Sequence, residues 1–318
     1  MSTPSPRKMT YVRLGNSGLK VSRLILGCMS YGSPEWAPWV LGEEEGIQHI
    51  KAAYDLGIQT FDTSNNYSNG ISEAILGKAI KQHNLPRDEI VVMTKVNQHG
   101  LSRKHIFESV KHSLERLQLD YIDVLQCHRF DPDTPIEETM QALHDVVKAG
   151  YVRYVGMSSC MAWQYYAVVN KLTPFISMQN HYNLCYREEE REMQPSLKHF
   201  GVGCIPWSPL AMGVLTRPLS ASNDTARGKA ISRVTTLYLD GGGDEVVTKV
   251  QELAEKKGVS MAQISLAWLL QKEGVSAPII GTTSLEKLND LVAALDVKLD
   301  AEEVKALEGP YKAKGVFY

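Results

Sequence analysis

Short runs rich in Val and Ile alternate with amphipathic stretches along nearly the whole chain, and nothing else in the sequence restricts the fold as much. The runs are Leu24–Cys28, Ile58–Thr63, Ile90–Lys95, Tyr121–Cys127, Val152–Met157, Phe175–Gln179, Val202–Trp207 and Ala277–Ile280. Between them lie stretches of helical period such as EEEGIQHIKAAYDLG, SRKHIFESVKHSLERLQ and IEETMQALHDVVKAG. Gly57 and Gly150 stand just past two of these, where a helix closes on a left-handed residue. Strand–helix alternation with eight strands predicts an α/β chain folded as a (β/α)8 TIM barrel. An open doubly wound sheet is the competitor that strand count alone does not remove. At 318 residues the chain is long for one domain, yet a barrel of this kind reaches that size as a single unit. No Gly/Ser-rich linker or short repeat divides it, so one domain over 1–318 is expected.

Two segments depart from the rhythm. TYVRLGNSGLKVSRLILG holds two extended runs around NSG, a hairpin signal ahead of the first barrel strand, and residues 1–11 read as a flexible arm. Residues 210–244, with TRPLSASNDTARGK and GGG, have few periodic apolar positions and many turn formers. A loop that long in a compact domain is functional or disordered. Here it reads as a mobile cover at the C-terminal rim of the barrel, with a plain insertion as the alternative.

Charge and cysteine usage narrow the function classes. Lys and Arg total 34 and Asp and Glu 36, a formal charge of −2 that gives no electrostatic footprint for nucleic acid or an anionic membrane. The richest apolar run, Ile264 to Leu270, falls far short of the ~20 residues a membrane span needs. MSTPSPRKMT has no apolar stretch behind its charges, so no secretory signal is expected. Cys28, Cys127, Cys160, Cys185 and Cys204 show no CxxC spacing. They read as core residues of a reducing, cytoplasmic compartment, and no metal site is expected. No coiled-coil pattern sets an oligomeric state.

In such a barrel the polar residues that end the strands face the active site. The second strand ends at Asp62, followed by SNNY with Tyr67; the third ends in Lys95 and the fourth in His128. Ser158 and Ser159, Gln179 and Asn180, Trp207 and Ser208, and Gly281 end the last four. Singly, each has a plain explanation: a snorkelling lysine, a satisfied core imidazole, a helix cap. Together at one rim, Asp62, Tyr67, Lys95 and His128 suit proton transfer to a carbonyl. A phenol titrates near ~10 and is a poor acid at neutral pH. A nearby ammonium stabilises its phenolate, and a carboxylate such as Asp62 keeps a partly buried Lys95 charged. His128 would orient the carbonyl oxygen or share the Tyr67 proton. No GxGxxG follows the first strand, which argues against a Rossmann cofactor site, and neither GxSxG nor a P-loop appears.

The string FDTSNNYSNGISEAILGKAI resembles the aldo-keto reductase signature, in which Asp and Tyr lie five residues apart before SExxLGxAL. The likeness continues in order through VVMTKV, YIDVLQCHRFDPDTPIEETMQALHDVVKAGYVRYVGMSS, MQNHYNL, IPWSPLAMGVLT and PIIGTTSLEKLNDLVAAL, from Val12 to about Leu307. HRFDPDTPIEETMQALHDVVKAGYVRYVG and YREEEREMQP look most like the fungal aryl-alcohol dehydrogenase-type and related secondary-metabolite reductases.

The resemblance implies a (β/α)8 barrel and NADPH-dependent reduction of aldehydes or ketones. Tyr67 would be the general acid, Lys95 and Asp62 its tuning pair, and His128 the carbonyl-orienting partner. Ser158, Ser159 and Gln179 would hold the nicotinamide carboxamide, although the family often has Asn at the position of Ser159. Trp207 would stack on the nicotinamide ring, or is a core aromatic. Ser208, Pro209, Leu210 and Gly213 would run beside the pyrophosphate, and Gly27 would let the cofactor approach. Gly281 and Thr283 precede a helix whose free N–H groups favour an anion. Lys287, one turn in, would meet a 2′-phosphate, or is a solvated helix residue. Asp290 corresponds to the family's acidic adenine contact, while Leu291 stands where many members have Asn. Tyr31, Trp36 and Trp39 in MSYGSPEWAPW lie where a substrate channel would open and suit flat apolar carbonyl compounds. Arg129 lines that mouth or pairs with Asp131 or Asp133. A second reading keeps the fold and cofactor but makes the protein a slow, redox-sensing regulatory subunit, like the potassium-channel β-subunits of the family.

Overall fold

The computed structural model describes residues 9–96, 100–159, 167, 169–221 and 232–316. An antiparallel pair opens the chain, β1 (Tyr11–Arg13) and β2 (Lys20–Ser22). Eight parallel strands follow: β3 (Ile25–Gly27), β4 (Thr60–Asp62), β5 (Val91–Val96), β6 (Ile122–Cys127), β7 (Val152–Ser158), β8 (Phe175–Gln179), β9 (Gly203–Cys204) and β10 (Ile279–Ile280). They lie in the order β10-β3-β4-β5-β6-β7-β8-β9. The two ends of this sheet meet. Cys204 bridges Val275 in parallel, Ser276 N–H donates to Cys204 O (2.8 Å), and Ile279 N–H donates to Pro206 O (2.9 Å). The sheet is therefore a closed barrel and not an open doubly wound sheet. The seventh and eighth strands shrink to two residues each, because Pro206 and Pro278 have no N–H for a ladder and closure runs through isolated hydrogen bonds.

Helices α1 (Glu43–Asp55), α2 (Ile71–Gln82), α3 (Arg103–Leu117) and α4 (Ile136–Lys148) follow β3 to β6 in turn, and α5 (Met193–Phe200) follows β8. Among the described residues, helices α6 (Ser232–Leu239), α7 (Gly243–Lys257) and α8 (Met261–Gln271) lie between β9 and β10, and α9 (Leu285–Ala293) and α10 (Ala301–Glu308) follow β10. Gly57 (φ 88°) and Gly150 (φ 82°) take the left-handed conformation expected past α1 and α4.

The core has two layers. Outside the barrel, Leu26, Phe61, Val92 and Leu125 pack against the apolar faces of the helices, among them Ile50, Leu76 and Leu143. Inside, Leu14 and Val21 of the hairpin segment pack with Ile25, Val91, Met93, Val124, Ala277 and Ile279 at the starts of the strands. The hairpin thus plugs the N-terminal end of the barrel, tied by Asn16 N–H to Gly201 O (2.7 Å). Only the opposite, C-terminal end is left for polar groups.

The described residues of both irregular segments hold regular contacts. Of residues 1–11, the first eight lie outside the described residues, but Met9 is buried in the core and Tyr11 begins β1, its hydroxyl donating to Gly57 O (2.9 Å). Residues 210–244 hold 3-10 turns at Ala211–Thr216 and Leu219–Ala221, helix α6 and the start of α7, while 222–231 lie outside the described residues. Cys28, Cys127, Cys185 and Cys204 are buried free thiols; Cys160 lies outside the described residues. Among the described residues no helix is long and apolar enough to cross a membrane.

Candidate active site

Three strands and one turn bring four of the expected residues together at the open end. Asp62 ends β4, Lys95 is next to last in β5, and His128 follows β6, its N–H donating to Val96 O (2.9 Å). Tyr67 begins the 3-10 turn before α2. Lys95 Nζ is the hub: it donates to Asp62 Oδ2 (2.6 Å), Thr63 O (2.8 Å) and the Tyr67 hydroxyl (3.1 Å). Its Nζ also lies 4.7 Å from the Tyr67 ring centroid. The His128 and Tyr67 rings meet edge to face at 5.8 Å, and His128 Nδ1 lies 3.3 Å from Ser64 Oγ.

Burial and neighbouring charges together set the protonation states. It lowers the Lys95 ammonium, but the Asp62 charge and the hydrogen bonds to Asp62 and Tyr67 outweigh it, so Lys95 is held above its ordinary value. Tyr67 is also held above its ordinary value: burial raises it more than Lys95 and Arg129 lower it. The lysine therefore does not turn Tyr67 into an unusually strong acid in this state. The phenol stays protonated, with the cation in place to receive a phenolate. His128 is pushed down to about 2 by burial and by the charges of Lys95 and Arg129, so its imidazole is neutral.

Sequence reasoning missed much of what holds this cluster. Gln126 Nε2 (3.2 Å) and Gln179 Nε2 (2.9 Å) both donate to Asp62 Oδ1. Ser64 faces His128. Part of the signature string is scaffolding. Ser72 donates to Cys28 O (2.8 Å), and fully buried Glu73 accepts from Thr94 Oγ1 (2.6 Å) and Arg116 Nε (2.7 Å), fixing α2 and α3 against the residue before Lys95. A Cβ on Gly77 would lie 2.4 Å from Leu117 O, so only glycine lets α2 approach the end of α3. Strand periodicity would have found Gln126, which faces inward two residues after Val124.

A second group forms at the ends of β7 to β9. Ser158 Oγ donates to Gln179 O (2.8 Å) and accepts from Arg129 Nη1 (3.0 Å). Ser159 takes φ 49°, its N–H donates to Asn180 Oδ1 (3.1 Å), and its Oγ lies 3.4 Å from Trp207 Nε1. Trp207 stacks on His181 (4.1 Å between centroids, 12°), which stacks in turn on Tyr186. Glu189, which accepts from Asn180 Nδ2 (2.6 Å), is raised to about 7, chiefly by burial. Ser208, Ala211, Met212 and Gly213 all have positive φ in an irregular turn, in which the N–H groups of Ala211 and Gly213 donate to Ser208 O (3.0 Å) and Leu210 O (2.9 Å).

The remaining expected residues scatter. The space beside Gly27 is filled by Ile279, whose Cγ2 would lie 2.9 Å from a Cβ, so this glycine serves the packing of β3 on β10. Gly281, Thr283 and Lys287 are exposed around the start of α9, whose N-cap is Ser284. Asp290 is engaged by α8: its carboxylate accepts from Ser260 Oγ (2.7 Å) and Gln263 Nε2 (2.5 Å). Tyr31 is fully buried with its hydroxyl 3.5 Å from His49 Nδ1, so it belongs to the packing under α1 and lines no channel. Trp36 is exposed and meets Trp39 edge to face at 6.2 Å. Arg129 pairs with neither Asp131 nor Asp133. It turns inward, with Nη1 on His128 O (2.6 Å) and its guanidinium carbon 5.5 Å from the Trp207 ring centroid.

Residues 23–312 match the aldo/keto reductase family. A Schizosaccharomyces pombe protein provisionally named an aryl-alcohol dehydrogenase is 47% identical, over 98% of this chain and 97% of its own. Versiconal hemiacetal acetate reductase of Aspergillus parasiticus is 46% identical over 97% of this chain and 98% of its own. An aldo-keto reductase of Alternaria alternata is 44% identical over 97% and 93%. The barrel, the polar cluster at its open end and these likenesses lead to one conclusion: the chain belongs to the aldo/keto reductase family and is an oxidoreductase of carbonyl compounds.

Proposed function

We propose that this enzyme reduces aromatic aldehydes and ketones with NADPH, Tyr67 acting as general acid. The observation that carries this reading is Lys95 Nζ between the Asp62 carboxylate (2.6 Å) and the Tyr67 hydroxyl (3.1 Å). As negative charge develops on a carbonyl oxygen near Tyr67, the phenol passes it a proton, since an alkoxide is a stronger base than a phenolate. Lys95 then faces the phenolate in a buried site where that attraction is strong. Neutral His128 can donate its ring N–H to the same oxygen without competing as an acid. Asp62 acts only through Lys95, keeping it charged.

NADPH, when bound, supplies the hydride. The chain's own groups fit such a molecule. The irregular turn from Ser208 to Gly213, with four positive-φ positions, suits the passage of a pyrophosphate beside the backbone. Gln179 Oε1 has no partner among the described residues and suits a carboxamide NH2; Ser159 and Ser158 lie beside it. Trp207, held by the His181 stack, suits a flat ring. The start of α9, with exposed Thr283 and Lys287, suits a 2′-phosphate. The aryl-alcohol named for one relative favours aromatic substrates. The buried free thiols fit a reducing cytoplasmic setting. The test is steady-state oxidation of NADPH and NADH with aryl and alkyl aldehydes. Turnover of aryl aldehydes with strong NADPH preference is expected. Tight NADPH binding without turnover of any carbonyl would replace this reading by the redox-sensing one.

A further inference from the structure

Among the described residues, Arg129 at the rim has no counter-ion. Lys95 is neutralised by Asp62 at 2.6 Å, with both side chains out of solvent. Arg129, partly buried one residue past His128, meets no carboxylate at ion-pair distance among the described residues. Asp131, close in sequence, is committed elsewhere: it accepts from the N–H groups of Leu101 and Asp133 and from Thr134 Oγ1. Arg129 Nη1 is also committed, to His128 O (2.6 Å) and Ser158 Oγ (3.0 Å), whereas Nε and Nη2 have no acceptor among the described residues. Those two form the side edge of the guanidinium, the edge that takes a carboxylate through two parallel N–H···O bonds. A largely desolvated cation left unpaired is costly, and a ligand anion removes that cost.

From these contacts we infer that Arg129 determines specificity by receiving a carboxylate on the substrate, so that the preferred carbonyl compounds are acids. The inference rests on the reductase reading above and narrows its substrate class. Because Arg129 directly follows His128, a small molecule held by its carboxylate can present its carbonyl to Tyr67 and His128. The competing use of the same free edge is to hold the carboxamide oxygen of the cofactor.

The test compares kcat/KM, with NADPH saturating, for 3- and 4-carboxybenzaldehyde and for their methyl esters, which keep ring and aldehyde but lose the charge. In the wild type at least one acid should exceed its ester by about tenfold, which corresponds to about 1.4 kcal/mol. The acid-to-ester ratio should fall to one or below in both R129M and R129Q and take an intermediate value in R129K, which keeps the charge without the fork. The ratio is read within each variant, so a general loss of rate does not move it, and two neutral variants guard against one failing to fold. A wild-type ratio of one or below for both acids overturns the inference alone, as does a preference that survives in R129M. A rise in KM for NADPH with the ratio unchanged also overturns it, assigning the edge to the cofactor. If the wild type turns over none of the four aldehydes, the aryl-aldehyde reductase reading itself fails and this inference falls with it.

Discussion

Gln179 and Asp62, 117 residues apart in the chain, meet through a hydrogen bond of 2.9 Å. With Gln126 on the same oxygen and Lys95 on the other, the Asp62 carboxylate accepts from three side chains at once. An amide there would point its NH2 at a donor whichever way it turned. Asp62→Asn should therefore cost about 3 kcal/mol or more, as expected for a buried charge left without its partner. Lys95 has a raised folded-state pKa, so its contribution to stability is complete below the ordinary lysine range near 10.5 and is lost as pH rises through the higher folded value. The gap between wild type and variant should narrow at strongly alkaline pH. Urea unfolding at pH 7 and above 10.5 measures both effects, and a gap that widens with pH would contradict the pairing.

Tyr67→Phe removes the proton donor and leaves the ring that packs against His128. Turnover should fall by about 10² to 10⁴, the usual worth of a general acid. NADPH should still quench tryptophan fluorescence with nearly unchanged affinity. Retained turnover with lost cofactor binding would sink the role of Tyr67.

His128 is neutral in the fold down to about pH 2, whereas an unfolded histidine takes up a proton near 6.5. Its folded pKa is depressed, so acid favours the unfolded chain throughout that window, by up to about 1.4 kcal/mol per pH unit. His128→Gln, which cannot titrate, should lose less stability than the wild type between pH 7 and pH 4. Parallel denaturation curves at the two pH values would mean that the imidazole charges freely in the fold.

Gly77→Ala places a methyl against a backbone carbonyl of α3, where no side chain can give way. A loss of about 1–3 kcal/mol is expected from overpacking. The thermal midpoint should fall together with kcat, because the displaced α2 carries Glu73, the partner of Thr94 beside Lys95. A variant with unchanged melting but lost activity would refute this scaffold role.

The glutamate beside Asn180 gives a pH effect of opposite sense to that of His128. Glu189 is raised to about 7, so its protonated form favours the fold below the ordinary glutamate range, and that stability is lost as pH rises through 7. Glu189→Gln should flatten this decline when unfolding free energies are compared at pH 5 and 8. An unaltered pH profile would mean that the carboxyl is well solvated.

The barrel and its polar rim were legible because both depend on local pattern: strand runs of fixed length, and polar residues where those runs stop. Asp62, Tyr67, Lys95 and His128 could be named because each lies at a strand end or just past it. Which way a side chain turns once there was not legible. Tyr31 sits in a loop that looks like a channel wall, yet its ring is drawn under α1. Arg129 has aspartates two and four residues ahead, yet turns to Ser158, 29 residues away. The net shift of Tyr67 was also hidden, because composition gives the neighbouring charge but not the depth of burial that opposes it.

The hairpin packed into the barrel's N-terminal end gives the barrel a floor. Ligands taken up at the rim cannot leave through that floor. Whichever lies deeper beneath the rim must arrive first and depart last, so the order of exchange is a property of the scaffold before any affinity is considered. A substitution at Leu14 or Val21 that loosened the floor would then register in the sequence of ligand exchange as well as in stability, although neither residue stands near the chemistry.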